Sequence, residues 1–354
     1  MQYLPELNVI RLTTEELDAL GKEFAPVRNR LSQYPPASSS TAELSQAVLD
    51  FQSLPEPVKA DFLQSLKILG APGQTALYYE VVAKQFTSSL LAWPEKGTGS
   101  LAQIIDTGEA FYLGCPTPGD LSYLLQRNLV VDRSLISSNL NLSFSADSAL
   151  VILALVDVCR FNEIDSLITH RLPDEIISLD DVMERIGDST ADDYRWILNL
   201  MQKSLPFNIA QEINSPRVAD AMKELKNIGL LELVDEGEET PFGALPPLYR
   251  FSSSGKIVQS SLLESESIEL FGISREKDGA VDYEVSLLAR SVDALFMILW
   301  SPAESSLYSL SPASFEIFLE ENQLGSLFFV KSAAKDEEKV GGEAVEEGAE
   351  HAGN

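Results

Sequence analysis

LAQIIDTGEAFYLGCPTPGDLSYLL, residues Leu101 to Leu125, is the stretch on which the fold turns, because its pattern occurs twice. Residues Leu295 to Leu319 read LFMILWSPAESSLYSLSPASFEIFL. Laid over each other without a gap, Leu101 meets Leu295, Ile104 meets Ile298 and Ile105 meets Leu299. Thr117-Pro118 meets Ser311-Pro312, and Leu121, Leu124 and Leu125 meet Phe315, Phe318 and Leu319. Each copy reads as an apolar strand, a polar turn, a short second strand and a helix. Thr117 or Ser311 can cap the first amides of that helix. Pro118 or Pro312 takes the first helical position, where no amide is needed. The apolar residues that follow fall at i, i+3 and i+4, one face to pack back on the strands. At the same offset Ile68-Leu69 meets Leu262-Leu263 and Leu77 meets Phe271, so the duplication begins near residue 62 in one half and 256 in the other.

Outward from the repeat, the chain has 354 residues, 45% of them hydrophobic, enough for two ordinary domains or one duplicated unit. Its formal net charge is -28, from 54 acidic and 26 basic residues. Such a field repels phosphate backbones and anionic membranes. Cys115 and Cys159, the two cysteines, make neither a disulfide framework nor a zinc site and are expected as buried thiols in a reducing setting. MQYLPELNVIRLTTEEL lacks a basic start followed by an apolar core, so no signal peptide is expected. The longest apolar run, Ala149 to Val158, is interrupted by Asp157 and is too short to span a bilayer.

In chain order, Leu7 to Leu12 reads as a strand, followed by a helix capped by Thr13 or Thr14 with Glu15 and Glu16 in its first turn. Tyr34 to Ser40 is a loop. Thr41 to Phe51 and Pro57 to Leu69 are amphipathic helices, and Gly70-Ala71-Pro72-Gly73 stops the second. Thr75 to Val82 and Phe86 to Trp93 are strands leading into the first copy. Val130 to Leu142 is extended, and Ser145 caps a helix from Ala146 to Thr169. That helix is apolar nearly all round, the mark of a buried central prop. Ser178 to Ile186, Thr190 to Lys203 and Ser215 to Ile228 are helices, the last stopped by Gly229. Leu230 to Val234 and Leu248 to Ser252 flank a polar loop, so the order of elements is that of a winged helix. Lys256 to Leu263 is a helix; Ile268 to Ile273, Tyr283 to Ala289 and Ala294 to Trp300 are strands leading into the second copy. Lys331 to Asn354 is rich in Gly, Ala and Glu and is expected to be disordered.

Candidate sites are few. A DNA-reading helix needs Arg or Lys for phosphates and base edges. Ser215 to Ile228 offers Arg217, Lys223 and Lys226 but also Asp220 and Glu224, and the wing carries Asp235, Glu236, Glu238 and Glu239. A winged helix used for protein interaction or packing is therefore preferred. His351 lies in the tail, and His170 beside Arg171 reads as a helix cap. No second histidine completes a metal site or triad. Thr98-Gly99-Ser100 and Gly341-Gly342 are not phosphate loops. Asp180-Asp181 and Asp192-Asp193 fall in first turns of expected helices, where the dipole explains them. A hydrolase built on scattered carboxylates has no support beyond their number. Trp93, Phe111, Tyr112, Phe296, Trp300 and Tyr308 sit on the repeated strands; core packing is the expected role, and any left exposed would mark a partner site.

The run LKILGAPGQTALYYE, a further strand, and then GEAFYLGCPTPGDLSYLL resembles the half-domain pattern of the EspG family, cytosolic chaperones of type VII secretion. Leu66 to Leu125 carries the resemblance best, and Ile268 to Leu319 carries a fainter echo. It implies two quasi-symmetric halves, each a meander packed on helices, and binding of the tips of secreted helical proteins. Two features depart from the pattern: the stronger echo lies in the first half, and the winged-helix segment is additional.

The expected fold is α+β: two pseudo-repeated antiparallel sheets packed with helices, a central buried helix and a winged-helix-like module. The expected division is 1–144 and 256–330 for the two halves, 145–255 for the central helix and module, and 331–354 for the tail. The expected function is a non-enzymatic cytoplasmic protein-binding adaptor or chaperone, with secretion as its setting. It would engage a protein partner through a sheet face, a sheet edge or helix docking. The alternative is a winged-helix transcriptional regulator. No catalytic, cofactor or metal-binding residues are expected, and neither nucleic-acid binding nor membrane insertion.

Overall fold

Two long hairpins joined edge to edge form the middle of the molecule. The computed structural model describes residues 1–34, 41–83, 85–95, 100–132, 135–136, 138, 140–237, 239–240, 243–244 and 246–321. The tail from 331 and most of the Tyr34 to Ser40 loop therefore lie outside the described residues.

The first part of the chain holds β1 (Gln2–Leu4), β2 (Val9–Leu12), α1 (Thr14–Phe24), α2 (Thr41–Gln52) and α3 (Glu56–Gly70). Next come β3 (Pro72–Val82), β4 (Gln85–Pro94), β5 (Ala102–Asp106), β6 (Phe111–Gly114) and α4 (Pro118–Asn128). The middle holds β7 (Asn141–Phe144), α5 (Ala146–Thr169), β8 (Ile177–Ser178), α6 (Leu179–Gly187), α7 (Ile197–Ser204), α8 (Ile209–Glu212) and α9 (Ser215–Asn227). It continues through β9 (Leu231–Asp235), β10 (Glu239–Thr240), β11 (Gly243–Ala244) and β12 (Leu248–Phe251). The last part holds α10 (Ser253–Leu263), β13 (Ser267–Lys277), β14 (Ala280–Arg290), β15 (Leu295–Trp300), β16 (Ser305–Ser309) and α11 (Pro312–Glu321).

The class is α+β, as the sequence indicates, but the two meanders are not separate sheets. They share one antiparallel sheet of eleven strands, ordered β1-β2-β6-β5-β4-β3-β13-β14-β15-β16-β7. Leu77 faces Gly272 and Tyr78 faces Phe271 across the central β3–β13 seam. Moving 194 positions along the chain exchanges these two pairs, so the seam is a local two-fold axis of the repeat. Edge pairing removes two exposed strand edges that separate sheets would have to protect.

The repeat helices start for the reason their sequences give. Thr117 and Asp120 form a reciprocal capping box at α4, and the Ser311 hydroxyl accepts the Ser314 amide at α11. Their apolar faces meet on one side of the sheet, where Leu121, Leu125, Phe315, Phe318 and Leu319 pack with Tyr78, Trp93, Phe271 and Met297. On the other side, α1 and α3 cover the first half through Leu17, Leu20, Phe62 and Leu66. The second half is covered there by the core of α5, α7, α9 and α10. The strands around the D-G pair are longer than the hydrophobic runs imply. Asp278 and Gly279, at φ 51° and 78°, close a hairpin of two eleven-residue strands.

β8, β12 and β9 form a three-stranded sheet beside α6, α7 and α9. The expected Thr190 to Lys203 helix is shorter: a 3-10 turn at Asp188–Thr190 and a loop precede α7, which begins at Ile197. This module is locked to α10 at one close approach. Leu230 O accepts the Ser252 amide at 3.0 Å, and a Cβ on Gly255 would run into that same carbonyl. Gly255→Ala is therefore expected to cost about 2–3 kcal/mol, despite better intrinsic helix propensity. Urea unfolding of the two proteins measures it.

Candidate protein-docking surface

Helix α5 is two helices in character. Its first half is buried on every side, from Ser148 to Cys159. From Phe161 onward it leaves the core, and Leu167 and Ile168 are 75% and 73% exposed. Phe161, Ile164 and Ile168 lie at i, i+3 and i+7 and so share a face, with Leu167 beside them. The helix ends at His170, which adopts the left-handed conformation (φ 57°) and returns its amide to Ser166 O. Leu172, 92% exposed, and Ile176 continue the apolar surface past the end. Six large apolar side chains are thus exposed within residues 161–176. Exposed Glu163, Asp165 and Asp174 flank them, against His170 and Arg171.

The surface is held in place. Asn162 Nδ2 donates to Asp174 O at 3.0 Å, tying the following segment back to the helix. The Arg185 guanidinium lies 5.4 Å from the Phe161 ring centre and 5.0 Å from that of Trp196, and its other contact is an ion pair with Asp188. At the root of the exposed half, Asp157 is buried and accepts the amides of Ile197 and Leu198 at 3.0 and 2.9 Å. Trp196, the residue before α7, supplies no side-chain cap, so a carboxylate from another helix does this work. Burial pushes the Asp157 carboxyl up to about 6, against the opposing pull of those amides and of Arg160.

The sheet offers less. A groove of about 280 Å³ beside α1 is lined by Leu77, Tyr79, Leu90 and Phe111. Of the strand aromatics, Trp93, Phe296 and Trp300 are buried, and Phe111, Tyr112 and Tyr308 are half-buried. Trp300 even uses its indole N–H, which donates to Ala146 O at 3.2 Å. Trp93, Phe296 and Trp300 are core packing, and Phe111 and Tyr308 pack against the core.

The other sequence candidates do not converge. On α9, Arg217 pairs with Asp147 at 2.5 Å and Lys223 with Asp220 at 3.3 Å, so no basic stripe forms there. Asp181 belongs to a capping box with Ser178. Asp192 and Asp193 do not sit in a helix first turn as expected. They lie in the loop before α7, where Asp192 pairs with Lys203 and Asp193 with Arg195. Those Arg195 contacts hold the Asp193 carboxyl down to about 2. His170 is a helix end, and His351 lies outside the described residues. Cys159 is buried and Cys115 half-buried, and burial pushes both thiols up, to about 12 and about 11. Among the described residues no group of three His, Cys, Asp or Glu side chains is placed to hold a metal ion. Nor is any described helix long and apolar enough to cross a membrane.

The apolar run of α5 implies a helix buried along its whole length, whereas the structure leaves its end beyond Phe161 exposed. A signal was present: from Glu163 the helix regains charged residues while keeping apolar ones at helical spacing, whereas the preceding run has almost none.

No protein-family model matches the chain, and no curated protein matches it in sequence. One solved structure that it resembles is that of the Mycobacterium tuberculosis type VII secretion system chaperone EspG5 in complex with a PE25-PPE41 dimer. The match covers 88% of this chain and 94% of that one, at 10% identity and a TM-score of 0.41. A likeness at that level supports no argument about function.

Proposed function

We propose that this chain is a non-enzymatic protein-binding adaptor or chaperone whose partner docks on the exposed end of α5. The observation that carries the proposal is the cluster of six exposed apolar side chains within residues 161–176. What sets these side chains apart from the other exposed apolar residues is that six of them fall within sixteen positions, and a contiguous exposed apolar patch supports a recognition role. The fitting partner is an amphipathic helical segment. Its apolar residues would meet Phe161, Ile164 and Ile168, and basic residues at its flanks would meet Glu163, Asp165 and Asp174. A chaperone acting in secretion is the finer form of this reading, and it rests on the sequence resemblance of Leu66 to Leu125.

The test is capture of the partner with the wild-type chain and with Ile168→Glu, a substitution on an exposed position. The wild type is expected to retain a protein at near-equal stoichiometry. The variant is expected to bind it about 30-fold more weakly, the scale of losing a central apolar anchor. Its unfolding midpoint should not change. Equal binding by both proteins, measured by titration of the recovered partner, would reject this surface.

A further inference from the structure

A cleft of about 930 Å³ opens where the tip of the β3–β4 hairpin, the C-terminus of α4, the start of β13 and the end of β14 come together. Val81, Val82, Val130 and Val292 contribute apolar walls. The polar lining is unusual for so acidic a chain, because it holds two arginines, Arg127 and Arg290.

Arg290 is 5% exposed. Its Nε donates to Leu129 O at 2.9 Å, and its Nη1 reaches Ser291 O and Ala294 O. Among the described residues no carboxylate lies within ion-pair distance of it, and its Nη2 has no acceptor. A cation at the end of α4 is favourable for the helix carbonyls, which accounts for Nε. It does not account for Nη2, which has no acceptor among the described residues yet is not sealed from solvent, and so is free to meet a ligand in the cleft. Arg127 stands at the rim, and among the described residues its one side-chain hydrogen bond runs from Nη2 to Asn128 Oδ1 at 3.4 Å. Ser267, also in the lining, is buried with a hydroxyl that has no partner among the described residues. Glu266 lines the cleft, yet its carboxylate forms no ion pair with either arginine. Val130, at the rim, has φ 44°, a conformation strained for a β-branched residue.

We propose that this cleft binds the carboxylate of an apolar-bodied monoacid, with Arg290 and Arg127 taking the carboxylate and the valines taking the body. A planar carboxylate matches the guanidinium fork. A singly charged head is the anion that a net charge of -28 repels least. Two sources carry this chemistry: a small organic acid, and the free C-terminus of a peptide ending in an apolar residue. The inference is independent of the α5 surface, which shares no residue with the cleft.

The test is calorimetric titration of the full chain with four probes: octanoate, octanol, acetyl-Ala-Val-Leu with a free C-terminus, and the same peptide amidated. Saturable binding of octanoate, of the free-acid peptide or of both supports the site, and the acid that binds identifies the source. Octanol and the amide are expected not to bind. Arg127→Ala and Val292→Glu change exposed rim positions and avoid the packed Arg290. Each is expected to weaken binding of the acid about tenfold, the scale of one charge-assisted contact. Absence of saturable binding by either acid, equal binding of octanol, or unchanged affinity in both variants would overturn the proposal.

Discussion

Asp157→Ala is expected to lower the unfolding free energy by about 3–4 kcal/mol, because it orphans two buried amides at once. Ile197 and Leu198 donate to the two carboxylate oxygens from inside the core, where water cannot replace them. The substitution also removes the charge nearest Arg160, whose Nη1 is 3.9 Å from Oδ1. Asp157→Asn keeps one strong acceptor and is expected to lose roughly half as much. Urea unfolding of the three proteins at pH 7.5 gives the comparison; a loss below ~1 kcal/mol for the alanine variant would show that α7 starts elsewhere. The consequence reaches the docking surface, because Trp196, one residue before α7, shares the Arg185 guanidinium with Phe161.

Glu269→Gln is expected to remove most of a pH dependence of stability that runs opposite to the usual carboxylate case. Glu269 lies fully buried at the central seam, accepting from Tyr78 Oη at 2.5 Å and from Asn128 Nδ2 at 3.0 Å. Burial raises its carboxyl to about 8, and the two hydrogen bonds do not offset that. Between about pH 4.5, its ordinary value, and about pH 8, the folded chain holds a proton that the unfolded chain has lost. Stability contributed by this group therefore falls as pH rises through that window, by roughly 5 kcal/mol at most. The glutamine variant is neutral throughout and is expected to exceed the wild type in stability at pH 8.5 while matching it or falling below at pH 5. Urea midpoints at the two pH values decide it, and parallel slopes for the two proteins would show that Glu269 is ionised in the fold. Glu80 makes the same point structurally. It accepts from Tyr78 Oη at 3.3 Å on the adjoining strand, so an ionised Glu269 would put two carboxylates on one phenol.

Much of the architecture was legible in one dimension because it rests on local chemistry. Ser145 and Thr169 bound α5 as the cap and the pattern indicated, and Thr13, Thr117 and Ser252 cap helices from their own side chains. The gapless match between Leu101–Leu125 and Leu295–Leu319 was visible because two copies of one hairpin-and-helix unit bury the same face, and burial preserves the apolar spacing. The winged-helix order was legible in the same way, down to Gly229 at φ 82° after α9. The misread loop before α7 shows the limit. Thr190 to Ile197 has no local stop signal, and the helix start is set by Asp157, forty positions earlier in the chain.

What the sequence by itself determined is the α+β class, the repeat, and the caps and turns. Each is written in patterns local to one segment, and the repeat is one such local pattern occurring twice. What only the tertiary structure decided is how the copies combine and where function can sit. The seam joining β3 to β13 pairs residues almost two hundred positions apart, and nothing in either strand announces its partner. Burial of Trp93, Phe296 and Trp300, exposure of α5 beyond Phe161 and the convergence of Arg127 with Arg290 are likewise properties of neighbours in space. The physical reason is that secondary structure follows from short-range sterics and hydrogen bonds, whereas exposure and charge pairing follow from which distant surfaces cover one another.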